Sequence, residues 1–159
     1  MRADGQPRVV IVDDEEMVIT SIRAFLQLET DFAVNGFTTP EQAVKHLETT
    51  PVDVVVSDYL MPKLNGIQLL SKAKELQPEA ARVLLTGHAD KQSAIQAIND
   101  VGLYQYLEKP WDNAQLLLVL RGAIERTQLL RKLRDKVNEL DQAHSSLKDV
   151  QSRLLRAFL

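Results

Sequence analysis

Val54-Val55-Val56-Ser57-Asp58-Tyr59-Leu60-Met61-Pro62-Lys63-Leu64-Asn65-Gly66 is the stretch on which the fold turns. An apolar run of strand length ends at a carboxylate, Asp58, and enters a loop carrying Pro62 and Gly66. A charge at the mouth of a buried strand is unfavourable unless something uses it. A second apolar run, Val9-Val10-Ile11-Val12, leads into Asp13-Asp14 in the same way. If the two runs are neighbouring parallel strands, three carboxylates converge on one edge of a sheet. Such a cluster repels itself unless a divalent cation or a proton is present. The pattern is that of a site, not of a scaffold.

Working outward, the first 120 residues alternate short apolar runs with amphipathic stretches. The expected strands are 8–12, 32–37, 53–57, 82–86 and 103–107. Helical patterns lie between them at about 15–29, 40–49, 66–76 and 91–101, and a fifth begins near Asp112. Thr39-Pro40 reads as an N-cap followed by proline at the first helical position, and Asp112 can cap the fifth helix. Five strand–helix repeats with short connections imply an α/β fold, a doubly wound parallel sheet covered on both faces. In such sheets ligands bind beyond the carboxyl ends of the strands. Asp13, Asp14, Asp58, Thr86 and Lys109 all fall at or just past strand ends, so all five are expected on one rim. Tyr104 and Tyr106 alternate along the fifth expected strand and should face the same side.

Composition bounds the rest. Hydrophobic residues make up 45% and charged residues 26%, as in a globular domain. No cysteine occurs, which removes disulfides, thiolate metal sites and a cysteine nucleophile. The longest early apolar run, Val9 to Val12, is too short for a signal-peptide core, and no run approaches a membrane span, so a cytoplasmic location is expected. Residues 120–159 carry nine Lys/Arg against five Asp/Glu, and residues 1–119 carry ten against seventeen. The basic residues of the tail are dispersed among acids, which reads as a solvated helix and not as a nucleic-acid arm. No helix-turn-helix fits in it.

From Asp112 onward there is no proline and Gly122 is the only glycine, so one helix can run almost to Leu159. Its later part is heptadic. Leu130, Val137, His144, Gln151 and Phe158 fall at a, and Leu133, Leu140, Leu147 and Leu154 at d. Four successive d leucines point to a coiled coil, and Lys136 at g with Asp141 at the following e suits a parallel homodimer. The expected domains are 7–125 and a coiled-coil helix, 126–159, that continues from the last helix of the first domain. The apolar ending, Leu154 to Leu159, reads as a cut or a buried junction.

Asp13-Asp14, Asp58 with Met61-Pro62 and Gly66, Thr86-Gly87, and Tyr106 three residues before Lys109-Pro110 resemble a response-regulator receiver domain over about residues 7–125. The resemblance implies a flavodoxin-like strand order, 2-1-3-4-5. It implies that Asp58 is the phosphoacceptor for a sensor histidine kinase and that Mg²⁺ is the cofactor. Asp14 would bind the ion directly, Asp13 mainly through water, and the Leu60 backbone carbonyl would be a further ligand beside Asp58. Lys109 would be a second fixed cation on a cis Lys109-Pro110 bond. Thr86 would supply a hydroxyl, Gly87 an accessible N–H, and Thr86 with Tyr106 the switch. Leu60 and His88 would border the route of the hydrolytic water. An apolar Leu60 then predicts slow self-dephosphorylation, and His88 reads as a loop residue. Output would pass through the fourth helix, fifth strand and fifth helix to the coiled coil.

Other classes fit less well. Haloacid-dehalogenase-type phosphatases need a second Asp two residues after the nucleophile, and position 60 is Leu. Nucleotide folds need a glycine-rich loop where Asp13-Asp14-Glu15-Glu16 stands. His144 is followed by Ser-Ser-Leu and lacks the acidic neighbour of a phosphorelay histidine. Enzymatic turnover is therefore expected only on Asp58 itself. Two outputs stay open: a stand-alone dimeric regulator, or the regulatory part of a longer effector. Thr86-Gly87-His88-Ala89-Asp90 and Lys109-Pro110-Trp111-Asp112 are similar to receivers heading HD-type cyclic-di-GMP phosphodiesterases, with serine phosphatases among the related effectors.

Overall fold

A computed structural model describes residues 5–158, apart from the side chains of His88, Ala97, Ile98 and Phe158. Five strands, β1 (Arg8–Val12), β2 (Ala33–Phe37), β3 (Val54–Asp58), β4 (Ala81–Thr86) and β5 (Gln105–Glu108), pair in the order β2-β1-β3-β4-β5. Every pairing is parallel. The helices are α1 (Glu16–Glu29), α2 (Pro40–Thr49), α3 (Gly66–Leu76), α4 (Lys91–Ala97) and α5 (Asn113–Phe158). This is the doubly wound α/β arrangement that the alternation of runs implies, in the strand order 2-1-3-4-5 that the receiver resemblance implies.

The strands are apolar on both sides because helices cover both faces. Val9, Ile11, Val54, Val56, Val83 and Leu85 pack against Ile22 and Leu26 of α1 and Leu116 and Leu120 of α5. Val10, Val12, Val55 and Leu84 pack on the other face with Leu47 of α2 and Leu69 and Leu70 of α3. Two caps work as their residue types dictate. Thr39 accepts from Gln42 N, and Asp112 Oδ1 accepts from Ala114 N at 2.9 Å. A third, an Asn65–Gln68 capping box at the start of α3, has two reciprocal 2.9 Å bonds.

The region around 97–105 departs from the expectation. The helix expected over 91–101 is α-helical only to Ala97 and continues as a π-helical turn, Ile98–Gly102. Gly102 closes that turn at φ +67°, a conformation glycine adopts without steric cost. Tyr104 donates its N–H to Arg82 O at 2.7 Å but lies in a bend before β5, so strand alternation does not reach it. Tyr104 packs with the α1/α5 face and Tyr106 with the α2/α3 face. The two tyrosines therefore face opposite sides, a correction to the period-2 reading.

Two compact units divide the chain, one ending at Thr127 and the other beginning at Gln128. In the second unit α5 is exposed from Lys132 to Ala157. Its seam leucines lie open to solvent, Leu140 at 69%, as do Leu133, Leu147 and Leu154. Leu129, Val150 and Leu155, off the a/d positions, are exposed too, so the apolar stripe is wider than the heptad predicts. Phe158 and Leu159, the end of that pattern, lie outside what is described of side chains. Among the described residues no helix is long and apolar enough to cross a membrane.

Candidate functional site

Four strand ends build the site. Asp13 follows β1 directly and is fully buried, its backbone N–H held by Phe37 O of β2 at 3.1 Å. Its Oδ1 accepts the Glu15 N–H at 2.9 Å, which fixes the carboxylate, while buried Oδ2 has no hydrogen-bond partner among the described residues. Asp58 is the last residue of β3 and is 6% exposed. Its Oδ1 accepts from Tyr59 N at 3.0 Å and sits 3.0 Å from Lys109 Nζ. Lys109 Nζ also lies 3.7 Å from Asp13 Oδ2. Asp14 is exposed, and one carboxylate oxygen from each of Asp13, Asp14 and Asp58 falls within 4.8 Å of the others.

Thr86 ends β4, fully buried, and its Oγ1 has no hydrogen-bond partner among the described residues. Its carbonyl accepts the Lys109 N–H at 2.7 Å, so the strand ladder itself carries Lys109 to the site. The Lys109-Pro110 bond is cis. The five rim residues are thus positioned at neighbouring strand ends, as the strand-end argument predicts.

The loop after β3 is folded back tightly. Gly66 N donates to Tyr59 O at 2.8 Å, and a Cβ on Gly66 would collide with the Asp58 backbone carbonyl. That contact, and not a left-handed φ, is why glycine stands at 66. Lys63 takes the positive φ, 70°, in the same loop. Leu60, two residues after Asp58, is 63% exposed. Gly87 is not forced by space, since a Cβ there would meet only Asp90 Oδ2 at 3.6 Å. His88 opens a single 3₁₀ turn to Asp90, and its side chain lies outside the described residues. Tyr106, opposite Leu84 in the β4–β5 ladder, is half-buried. The sequence reading missed Glu15, whose N–H orients Asp13; an Asx-type bond two residues on was the available signal.

Charge and burial oppose each other here. Burial pushes the Asp13 carboxyl up to about 6, against the Glu15 N–H, with the Asp58 charge adding to the rise. Burial likewise raises Asp58, and the bond and charge of Lys109 hold it back. Burial would lower Lys109, but the bond and charge of Asp58, with Asp13 and Glu15 behind, leave it raised overall. An oxygen-only donor set with a buried, unpartnered Asp13 Oδ2 suits a hard divalent ion such as Mg²⁺, which would satisfy that oxygen and offset the mutual repulsion.

Residues 9–121 match the family model described as response regulator receiver domain. The chain belongs to that family. It is 33% identical over 123 residues to the hydrogenase transcriptional regulatory protein HoxA of Cupriavidus necator, covering 77% of this chain and 25% of that protein. It is 30% identical over 141 residues to the C4-dicarboxylate transport transcriptional regulatory protein DctD of Rhizobium meliloti, covering 89% and 30%. The chain thus spans about a quarter of the length of these curated relatives. Among solved structures, the signal receiver domain of an HD domain-containing protein from Pseudomonas fluorescens aligns with TM-score 0.72 at 32% identity, over 77% of this chain and 98% of that one. A receiver domain from Clostridium thermocellum aligns with TM-score 0.73 at 31% identity, over 78% and 98%. The protein is a response-regulator receiver of two-component signalling.

Proposed function

We propose that Asp58 accepts a phosphoryl group from the phosphohistidine of a sensor histidine kinase. The observation that carries this is the Asp58 carboxylate, buried, 3.0 Å from Lys109 Nζ and grouped with Asp13 and Asp14. Both contacts on that carboxylate fall on Oδ1, which leaves Oδ2 as the oxygen to attack phosphorus while the histidine nitrogen leaves. Mg²⁺, held by Asp13, Asp14, Asp58 and the Leu60 carbonyl, would supply positive charge to the phosphoryl oxygens. Lys109 contributes a second positive charge, fixed in place before reaction. The unpartnered Thr86 hydroxyl is the donor that turns toward the new phosphoryl oxygens. Gly87 offers its N–H beside it, and Tyr106 follows Thr86 as the second switch residue.

In this reading residues 7–125 form the receiver, and 126–159 pair with a second copy as a parallel coiled coil. The exposed leucines on α5 and the Lys136–Asp141 complementarity support that pairing. The only chemistry of the segment is formation and hydrolysis of its own acyl phosphate, in the cytoplasm. A second reading makes the segment the regulatory part of a longer effector. It is favoured by the share of HoxA and DctD that the chain spans, and by the likeness to the receiver of an HD domain-containing protein.

The test is labelling by acetyl phosphate. Incorporation should need Mg²⁺ and vanish in Asp58→Ala; label retained in that variant ends the acceptor assignment. Sedimentation with and without beryllofluoride then reads whether the dimer depends on the site.

A further inference from the structure

Thr127 is fully buried on α5, and its hydroxyl meets three backbone groups. It lies 3.0 Å from Ala123 O, the usual resting place of a helical threonine four residues on. The other two partners are far away in sequence. The hydroxyl donates to Asp53 O at 2.8 Å and accepts from Ala81 N at 3.2 Å. One hydroxyl hydrogen serves two carbonyls, and Asp53 O is the nearer.

Asp53 stands just before β3 and Ala81 opens β4, and the two are joined by a 2.9 Å N–H to carbonyl bond. The Asp53 carboxylate in turn accepts from Arg8 N of β1 at 2.7 Å. Thr127 therefore ties α5 to the place where three central strands begin. Five residues earlier in α5, a Cβ on Gly122 would collide with the Tyr104 hydroxyl, so that ring sits hard against the helix. Both fastenings lie at the amino edge of the sheet, the far end of β3 from Asp58. Thr127 and the Gly122–Tyr104 contact thus fasten α5 to the amino edge at two points five residues apart. The helix is continuous through this point, and Leu130, the first seam position, is three residues on.

We propose that Thr127 is a positioning residue: its hydroxyl clamp passes rearrangement of the receiver into the continuation of α5. The proposal rests on the reading of Asp58 as acceptor.

Hydrogen exchange along α5 of the whole chain, with Mg²⁺ and with or without beryllofluoride as phosphoryl mimic, tests it. Thr127→Val keeps the side-chain shape, and Asp53 O and Ala81 N keep each other, so the fold should survive. Wild type should show a beryllofluoride-dependent change in exchange beyond Gln128. Thr127→Val should shrink that change about fivefold, the equilibrium weight of one such bond, and Thr127→Ser should restore it. Acetyl phosphate labelling of Asp58 should be equal in all three. A change of full size in Thr127→Val overturns the proposal, as does a wild type with no change beyond Gln128. Failure of labelling in wild type would strike the acceptor reading itself, so the two failures are told apart.

Discussion

At the carboxyl edge of the sheet, Asp13 and Thr86 bury oxygens that meet no hydrogen-bond partner among the described residues, and three carboxylates crowd together. At the amino edge, Asp53, Gln77 and Thr127 each engage backbone groups from distant elements. Gln77 alone donates to Leu47 O and Thr50 O at 2.8 and 2.7 Å and accepts from Val52 N at 2.9 Å. Unmet polar oxygens thus stand at the carboxyl ends of β1 and β4, while Asp53, Gln77 and Thr127 meet theirs at the amino edge; His46 Nε2, late in α2, is the exception on that side. Unmet buried groups destabilise the fold but are what a cation and a phosphoryl group would satisfy. The met ones hold the frame that keeps those groups in place.

The largest test of that contrast is at Asp13. Its folded pKa, about 6, is above the ordinary value of 3.8. Protonation is thus favoured by folding, and the stabilisation is complete below pH about 4 and lost as pH rises through about 6. Without a divalent ion, raising the pH from 4 to 7.5 should remove up to about 3 kcal/mol of unfolding free energy. Asp13→Asn should flatten most of that slope and stabilise the ion-free protein at pH 7.5, while weakening Mg²⁺-dependent labelling. Urea denaturation at several pH values reads both. A wild-type stability that climbs from pH 4 to 7.5 without metal would show that the edge is not frustrated.

Gln77→Ala is the opposite case. It strips backbone groups of Leu47, Thr50 and Val52 of their side-chain partner. About 2 kcal/mol of stability should be lost. Labelling per folded molecule should stay within twofold of wild type. If stability is unchanged, the amino edge does not hold the frame; if labelling collapses in folded protein, the two edges are not separable.

The carboxyl edge was far more legible in the sequence than the amino edge. Asp13, Asp14 and Asp58 announce themselves because charges directly after buried apolar runs are rare, and strand ends alone bring them together. Gln77, Arg82 and Thr127 carry no such signal. Each is an ordinary helix, cap or strand residue until its distant partners, 19 to 74 residues away, are known. Tyr104 shows the limit of periodicity. The π-helical turn and Gly102 re-phase the chain just before β5, and counting by twos then fails. The coiled-coil heptad was readable as a pattern, but the exposed Val150 and Leu155 beside it exceed what a/d counting predicts.

The smallest expected effect lies at the Leu60 side chain, which shares the carboxyl edge but has no polar group to satisfy. This side chain, two residues after Asp58, is exposed and offers an incoming water no hydrogen bond. Leu60→Asn supplies an amide that can accept from or donate to that water. One neutral hydrogen bond made in the transition state is worth about 1 kcal/mol, or about fivefold in rate. The acyl phosphate on Asp58 should therefore decay about fivefold faster in the variant, followed by loss of label after removal of acetyl phosphate. Folding stability should not move, because the position is open to solvent. An unchanged decay would mean that water reaches phosphorus by a path that avoids residue 60. The unmet groups of this edge would then govern phosphorylation but not its reversal.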